Sequence, residues 1–154
     1  VDYLRYNMRS QTYAKSLPMP MVIGALKRLE MLRTMPELKE KLWTVVNALQ
    51  SGLKEAGFDL GKTESPVTPV YMHGGIIEAT QLIMDLRENY NIFCSMVIYP
   101  VIPKGDILLR LIPTAMHTLK DVEDTIEAFT VCRTKLEAGE YQKESFTDIS
   151  ALRV

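Results

Sequence analysis

The chain has 154 residues, of which 47% are hydrophobic and 24% charged, so it can bury a core in one domain without disulfides or a metal ion. Its 18 basic and 19 acidic residues give a net charge of -1, which argues against a nucleic-acid or anionic-membrane surface. Cys94 and Cys132 lack metal-ligand spacing and predict reduced thiols, no metal site and a cytoplasmic location. No apolar run approaches the roughly 20 residues of a membrane span.

Two helices are predicted in the first third of the chain. Pro20 suits a first helical turn, and apolar residues then recur at spacings of three and four up to about Met35. Pro36 begins a second helix with the same periodicity, and Gly57 is its predicted C-cap.

The remainder alternates between strand-like and helical patterns. In chain order we predict a strand over 65–72, a helix over 76–88, strands over 92–99 and 107–112, and a helix from a Thr118 cap to Gly139. Prolines in the first of these strands indicate either an edge strand or the start of a strand. The other two strands are expected to pair as antiparallel neighbours. This order predicts an α+β fold, in which helices cover a small, mainly antiparallel sheet.

The domain organisation is predicted in three segments. Residues 1–19 lead from a larger domain, 20–139 form a small domain with its connecting helix, and 140–154 are a polar tail. Val1 is followed by helix-like sequence without a cap, which favours a chain cut from a longer one.

Arg110 is the one charged residue in the apolar, strand-like run 107–112. Strand alternation places Arg110 on one face with Leu108 and Ile112. Burying an unpaired charge is too costly, so the guanidinium needs a carboxylate. A planar, always charged donor is well suited to hold an amino-acid carboxylate in two parallel hydrogen bonds. On this segment alone, a structural salt bridge or a solvent-facing arginine remains the alternative.

Four motifs occur in an order that resembles the C-terminal part of the α-oxoamine synthases. They are Tyr-Ala-Lys-Ser-Leu-Pro at 13–18, Glu-Ser-Pro-Val-Thr-Pro-Val at 64–70, Tyr-Pro-Val-Ile-Pro at 99–103, and the segment 109–118 from Leu-Arg-Leu to Ala-Met-His-Thr. Members of this pyridoxal-phosphate family join an amino acid to an acyl-CoA. The resemblance covers residues 1–138 and is greatest to the bacterial serine palmitoyltransferases.

The resemblance implies the small domain of a fold type I, aminotransferase-like enzyme. The intact protein would be a homodimeric, pyridoxal 5'-phosphate-dependent, decarboxylating acyl-CoA:amino-acid C-acyltransferase, with serine and a long-chain acyl-CoA as its substrates. The Schiff-base lysine would lie upstream, so no catalytic residue and no activity are expected in this fragment. A free-standing α+β module that binds a small molecule or protein is the second interpretation, and an aminotransferase small domain is the third.

Substrate-binding residues also follow from the resemblance. Arg110 matches the family arginine that holds the amino acid's carboxylate, which is the role its strand suggested independently. In this family, a segment beside the substrate shifts when the substrate binds. The matching residues here are Pro100, Val101, Ile102 and Pro103, and the two prolines limit the conformations of this loop.

A cofactor contact is implied near the start of the chain. Ala14, Lys15 and Ser16 match a segment that reaches the cofactor phosphate of the other subunit. Ala14 stands where the family usually carries a hydroxyl, so a backbone N–H, Ser16 or Lys15 is expected to replace that contact. Lys15 superficially imitates the Schiff-base lysine motif, but Pro18-Met19-Pro20 replaces the glycine pair that follows it.

Overall fold

A computed structural model describes residues 1–14 and 16–142, which form two compact units. The first unit is Val1–Lys39, and the second begins at Glu40. Helices α1 (Asp2–Asn7), α2 (Arg9–Thr12) and α3 (Met19–Thr34) belong to the first unit, and α4 (Pro36–Glu55) continues into the second. Among the described residues, none of the helices has the length and apolarity needed to cross a membrane.

Helix α3 matches its prediction within one residue at each end, with a proline in its first turn. None of its residues is buried. The segment at its start is strongly apolar, yet Leu17, Met19 and Met21 are 62–70% exposed. The first unit therefore presents large apolar side chains on its surface.

The second unit contains a three-stranded antiparallel sheet. Its remaining elements are β1 (Thr68–His73), α5 (Ile76–Tyr90), β2 (Ser95–Val97), β3 (Asp106–Leu111), α6 (Leu119–Glu137) and a 3-10 helix (Glu140–Gln142). The strand order β1-β3-β2 places β3 in the centre, and both pairings are antiparallel. The proline-bearing β1 is an edge strand, which is one of the two positions that its prolines predicted. The predicted α+β fold is confirmed.

Helices cover one face of this sheet. On β3, Ile107, Leu109 and Leu111 are at most 5% exposed, whereas Leu108 and Arg110 on the opposite face are not buried. The buried side chains of β1 and β3 share one apolar cluster with Leu53 of α4, Leu82 of α5 and Phe129 of α6. The period-two pattern therefore determines which face of the sheet meets the helices.

The predicted helix ends are confirmed by their hydrogen bonds. Thr118 precedes α6, where its backbone N–H donates to Asp121 Oδ2 at 2.6 Å and its Oγ1 accepts from the Asp121 N–H at 3.2 Å. This reciprocal pair is a capping box. Gly57 follows α4 with a φ of 82°, the left-handed conformation that favours glycine after a helix.

Strand β2 is shorter than the predicted strand over 92–99. At its start, the Ile92 N–H is donated to the Leu86 carbonyl at 2.9 Å, which closes the C-terminus of α5. At its end, the Val101 N–H is donated to the Ile98 carbonyl at 3.0 Å in a tight turn. Backbone groups that are hydrogen-bonded in a helix end or a turn cannot also join a strand ladder, so only three residues of β2 pair.

A polar cluster joins α5, α6 and the 3-10 helix. The Asp85 side chain is 9% exposed and accepts hydrogen bonds from Lys135 at 2.7 Å, from the Tyr141 hydroxyl and from Asn89 at 2.7 Å. Burial acts to raise the pKa of Asp85, but these three donors outweigh burial and the pKa is lowered. Tyr141 is thereby tied to α5, and burial together with the bond to Asp85 raises the pKa of its phenol.

The segment predicted as a polar tail over 140–154 begins with this 3-10 helix. Tyr141 is only 7% exposed and belongs to the apolar cluster. Residues 143–154 lie outside the described part of the chain. The division into segments 1–19, 20–139 and 140–154 stays a prediction.

Replacing Tyr141 with Phe keeps the buried ring and removes the hydroxyl that donates a hydrogen bond to Asp85. We expect the free energy of unfolding at pH 7 to fall by about 1–2 kcal/mol, because a buried carboxylate loses a donor. Since the pKa of Asp85 is lowered on folding, its stabilising effect is complete above the ordinary aspartate pKa and is lost as the pH falls through the lowered value. The difference between variant and parent should therefore shrink below about pH 4.

Urea unfolding of the 154-residue chain at several pH values measures this effect. Tyr71→Phe is the matched control, because Tyr71 is 40% exposed and lies outside the polar cluster. Equal losses in the two variants would contradict a specific role for the Asp85–Tyr141 bond.

The exposed side chains at the start of α3 predict that the 154-residue chain self-associates. Large apolar groups such as Leu17, Met19 and Met21, together with neighbouring Val22, are expected to gain stability by leaving water. Sedimentation velocity across a concentration series should show species larger than a monomer, with binding of an apolar dye. A strictly monomeric chain that binds no dye would contradict the prediction.

Candidate functional site

Arg110 lies on the central strand, on the face opposite the side chains that pack against α4, α5 and α6. Its side chain is exposed, and among residues 1–14 and 16–142 no carboxylate forms a salt bridge with it. The structural salt bridge considered from the sequence is therefore absent from the described part of the chain. The exposed Arg110 side chain leaves its terminal N–H donors accessible to a ligand.

Two strand partners flank Arg110. Pro69 on β1 and Ser95 on β2 are its paired residues in the two antiparallel ladders. The Arg110 Nε–H donates to Ser95 Oγ at 3.1 Å, whereas the proline ring offers no polar group. Sequence reasoning missed Ser95. The available signal was the antiparallel pairing of two predicted strands, but that prediction specified no register.

The loop Pro100, Val101, Ile102 and Pro103 lies within the connection between β2 and β3. Its first peptide, Tyr99–Pro100, is cis, and only Ile102 of these four residues is partly buried. In the ladder, the pair Ser95–Arg110 is two residues further from this loop than the pair Val97–Leu108. Two residues of strand span about 7 Å, so the loop and Arg110 are at opposite ends of the hairpin.

The predicted phosphate contact lies in the first unit. Ala14 is exposed, and its backbone N–H donates to the Gln11 carbonyl at 3.4 Å, so neither its side chain nor its N–H fits a phosphate well. Ser16 is exposed, and its hydroxyl fits a phosphate because it can donate a hydrogen bond. Lys15 lies outside the described residues.

His117 has a local structural role in the turn before Thr118. Its Nδ1 accepts the Thr114 backbone N–H at 2.9 Å, in the turn that enters α6. In the described ranges, no group of three or more His, Cys, Asp and Glu side chains is placed to hold a metal ion.

Comparison of sequences identifies relatives with a defined chemistry. No protein-family model matches the chain. A cysteate-C-fatty acyltransferase of Capnocytophaga ochracea is 63% identical over 142 residues, which cover 92% of this chain and 34% of the relative. A serine palmitoyltransferase of Sphingobacterium spiritivorum is 33% identical over 127 residues, covering 82% of this chain and 31% of the relative. The chain thus spans about a third of the length of these curated relatives.

Comparison of structures identifies two serine palmitoyltransferases. A serine palmitoyltransferase from S. paucimobilis with a bound PLP-myriocin aldimine has a TM-score of 0.74 at 27% identity, with 89% of this chain and 34% of that chain covered. The Sphingomonas wittichii serine palmitoyltransferase has a TM-score of 0.75 at 25% identity, with the same coverage.

These relatives are members of the α-oxoamine synthase family, pyridoxal-phosphate enzymes of fold type I. The resemblance inferred from four sequence motifs is confirmed, and the chain is homologous to about one third of such an enzyme.

Proposed function

We propose that the chain is the C-terminal part of a pyridoxal-phosphate-dependent fatty-acyltransferase, in which Arg110 binds the carboxylate of the amino-acid substrate. One observation carries the proposal. The Arg110 guanidinium is exposed on the central strand without a carboxylate partner among the described residues, in a chain 63% identical to part of a cysteate-C-fatty acyltransferase. A bound carboxylate would supply the partner that the described residues do not.

The contribution of Arg110 is to bind and orient. Two N–H groups of a planar guanidinium match the two oxygens of a carboxylate, which fixes the position and the plane of that group. Fixing the carboxylate also fixes the direction of the amino acid's Cα–H bond, from which a proton must leave. This is a positioning effect, since an always protonated arginine does not act as the base.

Pyridoxal phosphate, when bound, supplies the electron sink that makes carbon–carbon bond formation at Cα possible. From this chain, Ser16 is the described residue whose hydroxyl fits the cofactor's phosphate, and Lys15 remains a candidate for that contact. We propose that they serve the other subunit of a homodimer, as the family resemblance implies. The Schiff-base lysine belongs to the part of the enzyme outside this chain.

The proposed amino acid is cysteate, with serine as the second candidate. Cysteate is favoured because the relative with 63% identity is named for it, whereas the relative named for serine is 33% identical. The acyl donor is proposed to be a long-chain acyl-CoA, and carbon dioxide is lost from the amino acid. The similarity to acyltransferases favours this reaction over a binding module or an aminotransferase.

Three further expectations stay proposals. The loop from Pro100 to Pro103 is proposed to shift when substrate binds, although it lies away from Arg110 along the hairpin. The segment 20–139 is proposed to be a domain of the intact enzyme. A cytoplasmic location is supported by two free buried thiols, and burial together with nearby Cys132 raises the pKa of Cys94 to about 11, which keeps it protonated.

In the intact enzyme, Arg110→Ala should cripple use of the amino acid while sparing cofactor binding. Removing one partner of a bidentate charge pair that is desolvated in the substrate complex costs about 2–5 kcal/mol, so kcat/KM should fall roughly thirtyfold to several thousandfold. Arg110→Lys should recover only part of the loss, because an ammonium group cannot replace the planar fork. Steady-state kinetics against the amino acid and the pyridoxal absorbance of the resting enzyme measure the two effects.

Lys120→Ala is the matched control, because it removes one positive charge at an exposed position of α6. It should leave kcat/KM unchanged. Near-normal kinetics in Arg110→Ala would show that the residue is not the carboxylate ligand and would overturn the proposal.

Substrate preference is a separate prediction for the intact enzyme. A site built for the anionic sulfonate of cysteate leaves its polar groups unpaired when serine binds, so kcat/KM should favour cysteate by at least about tenfold. Competition between the two amino acids with one acyl-CoA measures the ratio directly. A preference for serine would support the second candidate.

A further inference from the structure

Ser95 is held in place more firmly than the arginine it contacts. The residues on either side of it point toward the helices, where Cys94 is buried in the apolar cluster and Met96 packs against that cluster. Ser95 is therefore fixed on the opposite face, the face of Arg110, with one rotatable bond between backbone and hydroxyl. Arg110 has a long, exposed side chain with many rotamers, so the hydrogen bond between them restricts the arginine.

The bond also selects which part of the guanidinium remains available. Of the five N–H donors of Arg110, the one on Nε is donated to Ser95 Oγ at 3.1 Å. A carboxylate can approach an arginine from the side, through Nε and one terminal nitrogen, or from the end, through both terminal nitrogens. With Nε engaged, the end-on approach is the one that keeps two parallel hydrogen bonds.

Pro69 limits the arginine from the other side. It is the partner of Arg110 in the β1 ladder, and its ring carries no group that competes for the guanidinium. Of the two ladder partners of Arg110, only Ser95 has a polar side chain. Because a serine hydroxyl is neutral, it orients the guanidinium without reducing its charge.

We propose that Ser95 is a positioning residue that holds Arg110 for end-on binding of the amino acid's carboxylate. This inference rests on the proposed function, in which Arg110 is the carboxylate ligand. Ser95 itself touches neither the carboxylate nor the cofactor. It sets the plane in which the carboxylate is bound, and through that plane the direction of the Cα–H bond.

The test compares Ser95→Thr and Ser95→Val in the full-length enzyme. The two side chains differ in one group, because threonine carries a hydroxyl where valine carries a methyl group. Ser95→Thr keeps the oxygen that accepts from Arg110 and should remain within about twofold of the parent, whereas Ser95→Val should lose roughly 3- to 30-fold in kcat/KM for L-cysteate. A titration of L-cysteate followed by pyridoxal absorbance gives binding separately from turnover. Because a misoriented carboxylate also misdirects the Cα–H bond, kcat should fall in Ser95→Val together with the affinity for L-cysteate.

A double-mutant cycle separates positioning from a general structural role. In the Arg110→Ala background, Ser95→Val should have no further effect on kcat/KM, because the group that Ser95 positions is gone. Ser51→Ala, at an exposed position of α4, is the control and should behave as the parent. Equal activities of Ser95→Thr and Ser95→Val, or additive losses in the cycle, would overturn the role of Ser95.

The two proposals fail in different ways. If Arg110→Ala retains near-normal kinetics, Arg110 is not the carboxylate ligand and the proposed function fails together with this inference. If Arg110→Ala is crippled while Ser95→Val matches Ser95→Thr, the proposed function stands and the inference about Ser95 is wrong.

Discussion

The alternation of side chains along β3 is the constraint on which both the core and the candidate site depend. Ile107, Leu109 and Leu111 are held against the helices, and the same period places Arg110 on the opposite face. A slip of one residue would expose three large apolar side chains and bury an unpaired guanidinium, and both changes are unfavourable. The register that completes the core therefore also presents the charge.

Asp85 and Arg110 differ in how their charges are satisfied. Asp85 is nearly buried and is satisfied internally by Lys135, Tyr141 and Asn89, so its ionised form needs nothing from outside the chain. Arg110 is exposed and receives no carboxylate from the described residues. Its neutral contact with Ser95 leaves the positive charge available. This contrast favours a structural role for the aspartate and a ligand-binding role for the arginine.

Much of the fold, and the outward-facing position of the candidate ligand residue Arg110, were predictable from local sequence. Helical periodicity, prolines in first turns and the Thr118–Asp121 capping box act over a few residues, and the structure confirms the elements they predicted. The length of β2 was not predictable, because its neighbours use their backbone groups in a helix end and a turn. Ser95 and Tyr141 were missed since their partners are 15 and 56 residues away, and only tertiary packing determines such pairs.

The chemistry of the residue beside Arg110 bears on what the arginine can bind. An aspartate at position 95 would form a salt bridge with the guanidinium, occupy its donors and compete with any incoming carboxylate. An apolar residue would leave the long side chain free to sample many rotamers, so more entropy would be lost on binding. A serine avoids both effects, because it accepts one hydrogen bond and carries no charge. The pairing of Ser95 with Arg110 thus combines restricted motion with an undiminished positive charge, as the proposed binding of a carboxylate requires.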